Sequence, residues 1–352
     1  MQSIVSLFDI QAPVVSVQPL GEGLINDTYL VRTSGDADDY VLQRINTRVF
    51  PDVELLMSNI GVVTAHLASR LRFQGVSDLR RRVLQFVPAR GDAHRLYVES
   101  QGQYWRLMVY IARSQTRHEV NAANAEAAGM AFGQFQLMLS DLPVTLAETI
   151  PDFHNMEFRL RQLRQACADD LAGRLSRPEV QELLSQLELR ADEMTLAERL
   201  HRQGRLPRRV CHCDTKVNNI LFSDDGSEVL CVIDLDTVMP SFIFSDYGDF
   251  LRTAASSVAE DEPDFARIAF RSDIYQAFTR GYLSQARAFL TPLEVDMLPF
   301  AVRLFPYMQS VRFLWDYLNG DQYWKVRYPD HNLVRAQNQY HYLSRIEEYF
   351  KS

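Results

Sequence analysis

The stretch VCHCDTKVNNILF, residues 210–222, has three readings, and each gives a different protein. Two cysteines flank a histidine, an aspartate and a lysine follow, and two asparagines lead into an apolar run. Cys211, His212 and Cys213 are soft donors and suggest a metal knot. Consecutive residues do not readily close one tetrahedral site, however, and no CxxC or HxxxH partner stands elsewhere in the chain. A nucleophilic cysteine is as weak a reading, because thiols just ahead of a strand usually pack as small hydrophobes.

The third reading joins the polar residues to the segment downstream of them. NNILF (218–222) leads into the turn SDDGSE, and then into an apolar strand, VLCVI (229–233), that ends in DLD (234–236). This is strand, turn, strand, and a hairpin of that length brings its two ends together. Asp214 and Asn219 stand at the start of the first strand and Asp234 at the end of the second. Carboxylate and amide oxygens gathered there make a hard, all-oxygen site suited to Mg²⁺, with a further carboxylate left to orient a hydroxyl. Singly, each residue reads as a polar turn or a strand cap. Their spacing of five and then fifteen residues makes the set.

Composition narrows the field. The 352 residues suffice for two lobes with a substantial core. With 47% apolar and 23% charged residues the chain is globular, and its net charge of −8 argues against a nucleic-acid partner. The opening MQSIVSLFDIQAPVV lacks a basic segment and a sustained apolar run, so it predicts no signal peptide. No stretch approaches 18 apolar residues, and four cysteines make no disulfide framework. A cytoplasmic protein without a membrane partner is expected.

The first ~110 residues read mainly as strands. VVSVQPL (14–20) and DTYLVRT (27–33) alternate around the turn GEG, and DYVLQRIN (39–46), RRVLQFVP (81–88) and QYWRLMVYI (103–111) repeat the pattern. An amphipathic helix is predicted over about 52–70. Beyond 112 helices dominate, beginning with the alanine- and glycine-rich 121–139, expected to be central and buried. SRPE (176–179) and TPLE (291–294) both fit capping boxes, with Ser176 and Thr291 as N-caps.

His212, Asp214, Asn219, Ile233 and Asp234 form H-x-D-x-x-x-x-N, an apolar strand and I-D. This pattern resembles the aminoglycoside phosphotransferase and choline kinase superfamily, relatives of the protein kinases. The resemblance implies an α+β, protein-kinase-like two-lobe fold. A small antiparallel-sheet N-lobe (1–112) would cover the nucleotide, and a mostly helical C-lobe (113–352) would carry the catalytic loop and acceptor site. It implies ATP and Mg²⁺ as cofactors, with Asp214 as the catalytic carboxylate and Asn219 and Asp234 as metal ligands.

GEGLINDTYLV (21–31) fits a nucleotide-covering hairpin, with Gly21 and Gly23 letting backbone approach phosphates and Asn26 and Thr28 close by. Asn26 stands where the third glycine of G-x-G-x-x-G would be. The usual lysine of the third strand is missing. YVLQR offers Gln43 and then Arg44, so Arg44 is the candidate phosphate clamp and Glu54 its candidate partner. Backbone near Tyr110 to Ala112 is expected to meet the adenine. SDYGDFLR (245–252) resembles the D-x-G-D segment of the same superfamily, which implies that Asp246 supports the catalytic loop. Asp236 is either a second metal ligand or simply the next residue out of the strand.

The acceptor is harder to read. From 292 onward seven acidic and seven basic residues balance, and aromatics crowd the same region, including Phe305, Phe313, Trp315, Tyr323 and Trp324. Aromatic faces without excess charge suit a sugar as well as a plain core. GEGLINDTYLV, YVLQRIN, HCDTKVNNILF, VIDLDTVMP and VRFLWDYLNGDQYW resemble the N-acetylhexosamine 1-kinase branch. That implies a neutral amino sugar as acceptor, with His212, Asp214 and Arg312 on the substrate side. Another small-molecule kinase (choline, homoserine, methylthiosugar or antibiotic) and a nucleotide-binding pseudokinase remain alternatives.

Overall fold

The structure, a computed structural model, describes residues 1–21 and 25–351, and its chain divides into two compact units. The first takes residues 1–117, 138–151 and 218–239, and the second takes 118–137, 152–217 and 240–352. The fold is α+β, with an antiparallel sheet toward the N-terminus and mostly helices after it.

In the first unit, β1 (Val14–Pro19), β2 (Asp27–Thr33), β3 (Tyr40–Ile45), β4 (Val98–Ser100) and β5 (Gln103–Val109) form one antiparallel sheet in the order β1-β2-β3-β5-β4. Side chains alternate between the faces of a strand, so residues two apart share a face. Val31, Tyr40, Leu42 and Leu107 therefore line one face, where they pack with Val5, Phe8 and Val87. The opposite face carries a polar row across three strands, because Thr28 pairs with Gln43 and Gln43 with Arg106.

The expected strand at 81–88 does not form as such. A 3₁₀ turn at Leu79–Arg81 opens the segment, which then runs beside β5 through Val87 N–H to Leu107 O (2.8 Å) and Val109 N–H to Gln85 O (2.9 Å). The ladder goes no further because β4 takes the same edge of β5 next, Val98 pairing with Trp105. The helix Val53–Phe73 is capped by Asp52, whose side chain accepts from Leu55 N (2.9 Å). From its buried face Asn59 donates to Ala147 O (2.8 Å) and Val238 O (3.2 Å), tying the helix to both later segments of the unit.

The second unit is built on helices, with Leu298–Leu318 packed against Met156–Asp169, Phe244–Ala254 and His331–Lys351. The predicted helix at 121–139 forms over Ala122–Leu139. Its glycines have a packing role: a Cβ on Gly129 would lie 2.3 Å from Phe278 O of the helix Ser272–Ala286. Thr291 and Glu294 make the expected capping box. Ser176 does not cap. The helix starts at Pro178 with Arg177 before it, and the Glu179 carboxylate that would reach back instead takes Arg177 Nη2 (2.8 Å). Among the described residues, no helix is long and apolar enough to cross a membrane.

Candidate active site

The hairpin forms as expected. Ile220–Ser223 pairs antiparallel with Val229–Val232, and Ile233 N–H donates to Asn219 O (2.9 Å) one step beyond. Asn219 and Asp234 thus bracket its open end. Asp234 adopts a left-handed conformation (φ 60°, ψ 59°), which aspartate tolerates better than most residues. Their donors are hard oxygens, a set that fits Mg²⁺.

In the second unit the segment 212–215 rests on one buried carboxylate. Asp246, in the helix Phe244–Ala254, accepts from His212 N (2.9 Å), Cys213 N (2.8 Å) and Gln136 Nε2 (2.7 Å). Thr215 Oγ1 donates to its carbonyl at 2.7 Å. Burial raises the Asp246 carboxyl above its ordinary range, although His212 and these hydrogen bonds pull the other way. The grip holds Cys213 at φ 63°, a strained value for a residue other than glycine, immediately before Asp214. The resemblance-based role of Asp246 thus has a direct geometric counterpart.

Asp214 stays reachable, with 27% of its side chain exposed, and Lys216 Nζ lies 2.6 Å from its Oδ1. Burial works against the charged form of Lys216, but Asp214 and Asp249 outweigh it and hold the ammonium above its usual value. Burial also raises the Asp249 carboxyl, and the nearby Asp214 charge adds to it against the pull of Arg252. Arg252 spans Asp249 (3.0 Å) and Glu260 (3.1 Å). Lys216 lies inside the motif, two residues past Asp214, yet the sequence assigned it no role.

The His212 ring is fully buried, edge-on to Phe132 and Phe135 at 5.7 and 6.0 Å between centroids. This corrects the expected substrate contact: the ring is a core element below the loop. Cys211 and Cys213 are buried too, and burial pushes both thiols well up, as befits packed hydrophobes.

Arg312, from the helix Leu298–Leu318, lies over the rings of Phe153 (5.3 Å) and Trp324 (5.2 Å) and donates to Gln309 (3.2 Å). Its charge is felt at Arg159, which burial and Arg312 lower to about 9. Arg312 itself is lowered, chiefly by burial, and responds to Arg252 and Asp249, so it belongs to the same electrostatic neighbourhood as Asp214. Among the described residues neither Arg159 nor Arg312 has a carboxylate partner within ion-pair distance. Trp324 and Tyr323 are held by their backbone N–H groups on the buried Asp316 (3.0 and 2.8 Å). The other aromatics of the region, such as Phe305 and Phe313, are core.

On the nucleotide side, Gly21 adopts φ +69°, where a side chain would be strained. Gly23 lies outside the described residues. Tyr110 N–H is taken by Asp39 O (2.8 Å), and Ala112 is exposed. Arg44 departs from expectation. It pairs with its cross-strand neighbour Asp27, both side chains nearly half exposed, and Glu54 is not its partner. Alternation explains this, since Arg44 and Gln43 point to opposite faces of β3.

The buried cation of the sheet is Arg106, which no sequence motif marks. An arginine inside the apolar run YWRLMV was the available signal, because a charge so placed demands a partner. Arg106 forms an ion pair with Asp236 in which the two side chains are only 2% and 4% exposed. Asn26 Nδ2 takes the other Asp236 oxygen (2.7 Å), and Asn26 Oδ1 accepts from Asn46 N (3.0 Å). Asp236 is therefore a counter-ion rather than a second metal ligand, and the Asn26 side chain is a brace rather than an open nucleotide ligand. Thr28 Oγ1 accepts from Gln43 Nε2 (3.1 Å), and Gln43 Oε1 accepts from Arg106 Nε (2.9 Å).

Comparison with known proteins agrees with this geometry. The sequence profile of the phosphotransferase enzyme family (APH) matches residues 16–293. Similar solved structures include an aminoglycoside phosphotransferase from Alicyclobacillus acidocaldarius (15% identity, TM-score 0.59, 100% of this chain and 96% of that one). Others are the choline kinase LicA from Streptococcus pneumoniae (15%, 0.53, 97% and 96%) and a choline/ethanolamine kinase family protein from Mesorhizobium loti (16%, 0.56, 99% and 100%). At such identities they establish a shared fold. The chain belongs to the APH phosphotransferase family, and is a phosphotransferase with an alcohol group as acceptor that uses ATP and Mg²⁺.

Proposed function

We propose that this enzyme phosphorylates the anomeric hydroxyl of an N-acetylhexosamine, N-acetylglucosamine or N-acetylgalactosamine, to give the sugar 1-phosphate in the cytoplasm. In that reading residues 1–112 form the nucleotide-covering lobe, and residues 113–352 carry the catalytic loop and acceptor site. Asp214 orients the acceptor hydroxyl and takes its proton, and Asn219 and Asp234 hold Mg²⁺ when it is bound. The metal supplies charge neutralisation on the phosphates. The residues themselves supply position, which is most of what phosphoryl transfer asks of a protein.

The observation that carries the acceptor choice is the pair Arg312 and Arg159. Arg312 lies over Phe153 and Trp324, and Arg159, whose own N–H groups go to Phe153 O and Gln162 Oε1, adds its charge beside it; neither has a carboxylate within ion-pair distance among the described residues. Guanidinium groups and aromatic faces suit the hydroxyls, acetamide and C–H faces of a neutral sugar. The guanidinium charges repel the ammonium groups of choline or an aminoglycoside, which aromatic faces alone would accept.

The test is ADP release with Mg²⁺ and ATP over N-acetylglucosamine, N-acetylgalactosamine, glucose, galactose, choline, homoserine and kanamycin. The expected result is strong turnover on an N-acetylhexosamine and little on the cations. Preferred turnover of choline or kanamycin would contradict the sugar assignment while leaving the kinase. ATP binding without turnover on any acceptor would favour the pseudokinase.

A further inference from the structure

The polar face of the sheet and the DLD turn converge on Arg106. It lies opposite Gln43 in the β3–β5 register, it is buried, and its guanidinium reaches Gln43 through Nε and Asp236 through Nη1. Both carboxylate oxygens of Asp236 and its carbonyl are held. Arg106 takes Oδ1, Asn26 takes Oδ2, and Thr149 Oγ1 donates to its carbonyl at 3.1 Å. Asp236 stands two residues beyond Asp234, within the 3₁₀ turn Leu235–Thr237 that comes after the left-handed Asp234. A turn fixed this firmly one step downstream leaves the Asp234 backbone little freedom.

We propose that Arg106 is a positioning residue for the metal site: by clamping Asp236 against the sheet it sets the turn that aims Asp234, and it thereby fills the post of fixed cation that β3 leaves vacant. Arg44 cannot fill that post, because it faces the other side of the sheet and is committed to Asp27. Gln43 is neutral, so the buried positive charge on this face of the sheet is carried by Arg106 on β5. The pair is worth keeping buried because each charge is compensated and hydrogen-bonded, and removing one partner alone strands the other. The inference rests on the phosphotransferase reading, with Asp234 as metal ligand.

The test compares wild type, Arg106→Lys, Arg106→Met and the double variant Arg106→Met/Asp236→Leu. Melting temperature without nucleotide is read together with equilibrium ATP affinity, in excess Mg²⁺ and in EDTA. Arg106→Met should lose at least about tenfold in affinity with Mg²⁺, the scale of a lost ligand-orienting contact, and change much less in EDTA. Arg106→Lys should fall between, keeping the charge without the fork geometry. The double variant leaves no stranded charge and should recover melting temperature without recovering the Mg²⁺ effect, so it carries the test even if Arg106→Met folds poorly. An undiminished Mg²⁺ effect in Arg106→Met, or its return in the double variant, would overturn the inference alone. A wild type whose ATP binding ignores Mg²⁺ would overturn the metal-ligand assignment, and this inference with it.

Discussion

At Asp214 two neighbours share charge with the carboxylate. Lys216 pairs with it at 2.6 Å, and Asp249, itself raised by burial, faces both. The arrangement keeps a cation beside the carboxylate proposed to orient the acceptor hydroxyl, in a loop braced from beneath by Asp246. Replacing Asp214 by Asn keeps the shape and removes the base. Turnover should fall by roughly 10²–10⁴-fold while ATP affinity stays nearly constant, as read by steady-state kinetics beside a binding titration. Activity within a few-fold of wild type would remove Asp214 from that role. The line of residues from His212 to Asp234 was legible because their spacing is local. The facing of His212, Arg44 and Asp236 was not, since it depends on which side of a loop or strand is buried and on a partner more than a hundred residues away.

At the scale of elements, two contacts in the helical unit make sharp predictions. A Cβ at Gly281 would lie 2.0 Å from Glu126 O, backbone against backbone, so Gly281→Ala must push the helices Ala122–Leu139 and Ser272–Ala286 apart. Overpacking of this kind costs about 1–3 kcal/mol, and the melting temperature should fall by several degrees. An unchanged melting temperature would show that the helices separate freely. Glu198 concerns the N-terminus of another helix: its Oε1 accepts from Met156 N (2.6 Å), while its Oε2 is buried without a hydrogen-bond partner. Burial raises its carboxyl to about 6. The folded state therefore holds this proton more tightly than the unfolded chain. The favourable contribution is complete below about pH 4.5 and is lost as pH rises through 6. Glu198→Gln should flatten the stability–pH profile between those values and stabilise the protein at pH 7 by about 2 kcal/mol. A profile with the same slope as wild type would contradict this. The long helices and β1, β2, β3 and β5 were readable from periodicity. The segment 81–88 was not, because its apolar pattern resembles a strand while the edge of β5 it runs beside is shared with β4, which leaves it only a short pairing.

For the molecule as a whole, the family profile spanning residues 16–293 establishes an APH-type phosphotransferase and the solved relatives share its fold, and the sequence motifs already pointed there. What composition could not convey was the acceptor. The balanced charge beyond residue 292 hides how it is distributed, with Arg312 stacked on aromatic rings and the acids of the region engaged elsewhere, such as Asp316 beneath Tyr323 and Trp324. The central claim is a phosphate placed on the anomeric oxygen of an amino sugar. Phosphorus NMR of the product formed from N-acetylglucosamine or N-acetylgalactosamine with Mg²⁺ and ATP tests it directly. The account predicts one new phosphomonoester resonance coupled to the anomeric proton. A resonance coupled instead to the C6 methylene protons, or no new phosphomonoester while another acceptor is turned over, would contradict it.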